Sequence, residues 1–146
     1  MIYREYEILL KKYRDALERY DQLISRKEEL FNQAQPQGIK YDRDRIQNNG
    51  DADAFARYAM SVEQLDWRIG EVEGIIAERR KLLTEKESEL RGSRDITDRV
   101  YCLGILDRVR VYKIAGTVHY SEVQIYRILS RIRRTMEEIR HENNQT

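Results

Sequence analysis

The chain has 146 residues with 27 basic and 26 acidic side chains, 40% hydrophobic content, one proline and seven glycines, at a mean hydropathy of -0.80. That polarity excludes an all-β domain or a large spherical core and suits long helices that bury one stripe and solvate the rest. The lone Cys102 excludes a disulfide framework and a multi-thiolate metal site, and no apolar run nears the ~20 residues of a membrane span; a cytoplasmic protein with no membrane attachment is expected.

The first element is a long helix. Ile2, Tyr6, Leu9, Tyr13, Ala16, Tyr20, Leu23, Lys27 and Leu30 follow one another at steps alternating between four and three residues, the a/d seam of a coiled coil. Leu10, Leu17, Ile24 and Phe31 each follow a seam position and widen the stripe. At this spacing the tyrosines read as seam packing rather than as a stacking platform for bases.

Two breaker clusters follow, Gln35-Pro36-Gln37-Gly38 and Asn48-Asn49-Gly50-Asp51. Between them Ile39, Lys40, Tyr41 and Ile46 are expected to dock on the helices, and Asp51 or Asp53 to cap the next one. The second helix repeats the seam through Phe55, Tyr58, Val62, Leu65, Ile69, Val72, Ile76, Arg79, Leu83, Lys86 and Leu90. Its cations Arg79 and Lys86, with Lys27, are expected to cost stability and to fix register or oligomeric state, and their long stems can also snorkel from the seam. Residues 1–92 therefore read as a long antiparallel helical hairpin with a loop near 35–53.

Residues 93–146 read as a second, small domain. Gly92 is expected at the C′ position of the second helix and Ser93 as the N-cap of a helix from about Arg94 to Leu106, with Ile96, Val100, Leu103 and Leu106 inward. A short helical segment at Val111–Ala115 follows, with Ala115 allowing close approach. The turn Gly116-Thr117-Val118-His119-Tyr120 is plugged by Val118. Ser121 caps a terminal helix with Val123, Ile125, Ile128, Leu129 and Ile132 inward. Cys102 is expected to be a buried small hydrophobe. The fold class is all-α, a coiled-coil hairpin followed by a helix-turn-helix.

Charge separates the two parts. Residues 1–34 and 56–92 are nearly balanced, whereas Arg108, Arg110, Lys113, Arg127, Arg131, Arg133 and Arg134 face Glu122 alone between positions 108 and 134. A basic stretch in a neutral chain is a footprint for a polyanion. Ser121, Glu122, Gln124, Tyr126 and Arg127 are expected on the N-terminal face of the last helix, where base edges are read. Arg131, Arg133, Arg134, Lys113 and Arg110 are placed for phosphates.

Ile114-Ala115, then Ser121, Gln124-Ile125 and Leu129-x-Arg131, resemble the region-4 helix-turn-helix of sigma-70-type factors. With a helical hairpin in front, the chain is similar to small phage-encoded transcription regulators of Gram-positive bacteria, the ArpU and RinA type. The resemblance implies double-stranded DNA as partner, with RNA polymerase or a homodimer contacted by the hairpin. The chain departs from the pattern at Gly104, where the family has Arg, at Asp107-Arg108 in place of a loop Gly, and at His119 in place of the turn Gly.

No Gly-rich phosphate loop, His-Glu metal pair or nucleophile elbow occurs, so neither an enzyme nor a cofactor or metal is expected. His119 reads as a turn residue and His141 as part of a polar tail. A sequence-specific DNA-binding transcription regulator is the leading expectation. The alternatives are a protein–protein interaction module with a degenerate helix-turn-helix, and a small terminase-like DNA-packaging subunit.

Overall fold

The computed structural model describes the backbone of residues 1–34 and 49–142, and side chains for residues 1–33 and 54–142. Among the described residues the chain is all-α: α1 (Ile2–Ala34), α2 (Asn49–Arg91), α3 (Ile96–Tyr101), α4 (Val111–Val118) and α5 (Glu122–Glu142). The expected docking residues Ile39, Lys40, Tyr41 and Ile46 lie outside the described residues. Asp51 and Asp53, expected to cap the second helix at the end of a loop reaching residue 53, instead fall inside α2, which begins at Asn49. No described helix is long and apolar enough to cross a membrane.

The chain divides into two units, Met1–Arg14 with Glu78–Thr146, and Asp15–Ala77. In the second unit Ala16, Leu65, Ile69 and Val72 are buried, while Tyr20, Leu23, Leu30, Tyr58, Val62 and Ile76 are half-buried. These are the seam positions of both helices. The cation Lys27 reaches out of its seam to Asp66 at 2.6 Å, and this hydrogen bond pushes its ammonium pKa up. Three expectations fail here. Phe55 is 71% exposed, and Leu17 and Phe31 are also exposed. The Phe55 ring lies against Tyr58 on its own helix, with centroids 6.5 Å apart, and so stays off the seam.

In the first unit, Glu5 meets Lys86 at 2.9 Å and the Lys12 carbonyl accepts from Arg79 Nη1 at 2.6 Å. Residue numbers thus rise on α1 as they fall on α2. Both seam cations end on oxygen, as snorkelling requires. The Lys86 hydrogen bond holds the Glu5 carboxyl below its usual range, and that bond, with a second to Glu89, raises Lys86 in turn.

The end of α2 corrects the expected caps. Gly92 follows Arg91 in a turn, but no glycine among the described residues has a positive φ; ordinary bonds from Gly92 to the Ser88 carbonyl and from Ser93 to the Leu90 carbonyl close the helix. Ser93 is not the N-cap of α3. Asp95 stands there, and α3 begins at Ile96 rather than Arg94. The Ser93 hydroxyl accepts from the Asp95 amide and donates to Asp98 at 2.7 Å.

Asp98 is the reason for that rearrangement. It is 1% exposed, and its carboxylate accepts from the amides of Ile2 (3.2 Å) and Tyr3 (3.0 Å). An anion at the start of α1 satisfies two orphan N–H groups and complements the helix dipole. Tyr101 sits beside it, stacked on Tyr3 at 5.3 Å and edge-on to Tyr6 at 6.1 Å. The Tyr101 hydroxyl donates to the buried Glu7 carboxylate. Burial, reinforced by that hydrogen bond, pushes the Tyr101 phenol far above its usual range. Residues of α1 therefore share one core with Leu90, Val100, Cys102, Ile114, Val118 and the inner face of α5.

Candidate nucleic-acid interface

Local rules lay down the chain from Val100 to Glu142. After Tyr101 the helix widens, the Asp107 amide donating to the Cys102 carbonyl at 2.9 Å in a π-type turn. Arg108 then turns left-handed (φ 54°). The turn brings Gly104 against the helices that follow. A Cβ at Gly104 would stand 2.9 Å from Leu129 Cδ2 and 3.4 Å from Ile114 Cδ1, so a close approach falls at Gly104, while Ala115, expected to allow one, is half-buried. Arg91 clamps Asp107 with both guanidinium nitrogens at 3.1 and 3.3 Å, a bidentate pair that fixes the turn.

Helix α4 is eight residues, longer than the Val111–Ala115 segment expected. The Arg110 carbonyl accepts from the amides of Lys113 and Ile114 at its start. At its end His119 is left-handed (φ 60°, ψ 40°), and the Tyr120 amide donates to the Ala115 carbonyl at 3.2 Å. That six-to-one bond is a Schellman closure. Val118 is buried beneath the turn. Ser121 and Gln124 then form a capping box: the Gln124 amide donates to Ser121 Oγ at 3.2 Å, and the Ser121 amide donates to Gln124 Oε1 at 3.0 Å. Glu122 follows in the first turn of α5, where a carboxylate is favoured by the dipole.

The inner face of α5 is Ile125, Ile128, Leu129, Ile132 and Ile139, all buried. Its far end is held by Lys11, whose ammonium donates to the carbonyls of Ile139 (2.6 Å) and Arg140 (2.7 Å). Midway, Tyr3 donates to Thr135 at 3.3 Å. Val123, expected inward, is 60% exposed. It precedes Ile125 by two residues, about 200° round a helix, which puts it on the opposite face.

The outer face gathers most of the expected site. Arg127, Arg131 and Arg134 share one open depression with Val123, Tyr126 and Ser130. Tyr126 is 57% exposed, and Glu122, Arg133, Arg110, Lys113 and Ser121 are exposed as well. Arg133 does not line the depression. No ion pair to a carboxylate joins Arg110, Lys113, Arg127, Arg131, Arg133 or Arg134 among the described residues. Gln124 is exposed as well, and its side-chain oxygen is engaged in the cap. Residues that were not expected at the surface site are Val123, and Tyr112 and Tyr120 nearby in sequence, all exposed. For Val123 the helical phase relative to Ile125 was the available signal.

Cys102 is buried, its thiol pushed up by burial and directed at the Leu90 carbonyl at 3.8 Å. No cluster of three or more His, Cys, Asp or Glu among the described residues is placed to hold a metal ion. In the unit Asp15–Ala77 an open apolar groove runs past Ile24, Phe31, Tyr58 and Val62. No protein-family model matches the chain, nor does any curated protein or solved structure.

Proposed function

We propose that the chain is a DNA-binding transcription regulator in which α4, the His119 turn and α5 act as a helix-turn-helix and α5 enters the major groove. The supporting observation is the outward row Arg127, Arg131 and Arg134, which, with exposed Lys113 and Arg110, meets no carboxylate among the described residues. Cationic side chains that spend no charge on intramolecular pairs are free to release counterions from phosphates. The capping box and the left-handed His119 supply the sharp, rigid turn that such a motif needs. We read α1 and α2 as the antiparallel hairpin of a sigma-region-4-like phage regulator. Its exposed Phe31, Phe55, Met60 and Trp67 fit a protein partner, either RNA polymerase or a second copy. Those same residues favour the second reading, an interaction module without DNA.

Titrating duplex DNA with the full chain across salt concentrations tests the proposal. About five phosphate contacts give a slope of log K against log salt near -4 to -5, and Arg131→Ala should shallow it by about one. A chain that retains no duplex at low salt leaves the interaction module standing.

A further inference from the structure

The outer face of α5 is not uniformly polar. Val123 at 60% and Tyr126 at 57% exposure sit in its first two turns, in the same depression as Arg127, Ser130, Arg131 and Arg134. Neither gains from burial there, and α5 is otherwise charged or polar on that side. Resting on the DNA-binding reading above, we infer that Val123 and Tyr126 read thymine methyl groups in the major groove while the arginines hold the flanking phosphates.

Three observations carry this. The polar readers nearest the helix start are compromised: the Gln124 oxygen is bound into the cap, and Glu122 is anionic and stands in the first turn. That leaves Val123 and Tyr126 as the uncharged side chains projecting there ahead of Arg127. A valine side chain can neither donate nor accept a hydrogen bond, so the base feature it can recognise is an apolar one. In the major groove that feature is the thymine C5 methyl. Charge complementarity selects the occupant. An apolar protein surface laid over the depression would strip water from Arg127, Arg131 and Arg134 without supplying anions, whereas a duplex brings phosphates on both sides of the groove.

The test selects duplexes from a randomised pool with the full chain, then resynthesises a recovered duplex with deoxyuridine for thymidine, which removes the methyls and nothing else. The parent should bind the uracil duplex about fourfold more weakly for each methyl contacted. Val123→Thr, which keeps shape but replaces a methyl with a hydroxyl, and Tyr126→Ala should bind the two duplexes more nearly alike. Circular dichroism should confirm unchanged helix content, since both positions are exposed. Equal parental affinity for both duplexes overturns the thymine inference and leaves DNA binding intact. Failure to recover any duplex overturns both.

Discussion

Asp98 offers the sharpest energetic test of how the unit bearing α5 is assembled. Its carboxylate accepts from three donors, the amides of Ile2 and Tyr3 and the Ser93 hydroxyl. Asp98→Ala removes a helix cap, at about 0.5–2 kcal/mol, and strands the buried Tyr3 amide, at about 1–3 kcal/mol. A loss of about 3 kcal/mol follows. At about 1–3 kcal/mol per molar for urea, the midpoint should fall by about 1–3 M. Asp98→Asn retains one carbonyl oxygen, enough for one amide, and should lose less. Ser93→Ala removes one of the three donors and should cost about 1 kcal/mol alone, and less than that on top of Asp98→Ala, where only its bond from the Asp95 amide remains to be lost. Urea denaturation followed by far-UV circular dichroism gives all four values. A loss below about 1 kcal/mol for Asp98→Ala, or full additivity with Ser93→Ala, would refute the shared-acceptor account.

Three other perturbations probe the same unit. Tyr101→Phe leaves the buried Glu7 carboxylate without its phenolic donor and should cost about 1–3 kcal/mol in the same denaturation assay. The Tyr101 phenol, and Tyr6 beside it, are raised mainly by burial. Their contribution is therefore complete below pH about 10 and is lost as pH climbs beyond it, so alkaline destabilisation should be shallower in Tyr101→Phe. His119→Gly relieves a left-handed residue, worth about 1–2 kcal/mol, against about 0.4–1 kcal/mol of added unfolded-state entropy; calorimetry should show a small rise in Tm. Gly104→Ala presses a methyl against Leu129 at 2.9 Å, and overpacking of about 1–3 kcal/mol, less about 1 kcal/mol of helix propensity, should leave a net loss that calorimetry detects.

The strict three-and-four stepping marked both long helices, and it held wherever a partner stripe was available, from Tyr6 and Ala16 to Leu65, Ile69, Val72 and Leu90. Ser121 as cap, His119 as left-handed turn and Cys102 as a buried small residue were equally legible, because each obeys a local rule. What escaped was non-local. That Asp98 would cap a helix starting 96 positions earlier in the chain, or that Tyr101 would meet Glu7, is not encoded in any short window. Ser93 was misassigned for a related reason. Its side chain serves more than one bond, and the tertiary anchor Asp98 decides which are made.

The orientation of the arginine row follows from the apolar stripe behind it rather than from the arginines themselves. Rolling α5 by a single residue position, about 100°, would carry Ile125, Ile128, Leu129 and Ile132 toward water. At about 1.5–3 kcal/mol for each large apolar side chain, that costs about 6–12 kcal/mol, comparable with the whole stability of a domain. Repulsion among Arg127, Arg131 and Arg134 in water is small by comparison, since exposed charges are screened within about 10 Å. The helix is also pinned along its length, by Ser121 and Gln124 at the start, by Leu129 against Gly104 in the middle and by Lys11 at the last carbonyls. A cationic face that meets no carboxylate among the described residues persists on such a helix because burial on the other side outweighs the repulsion.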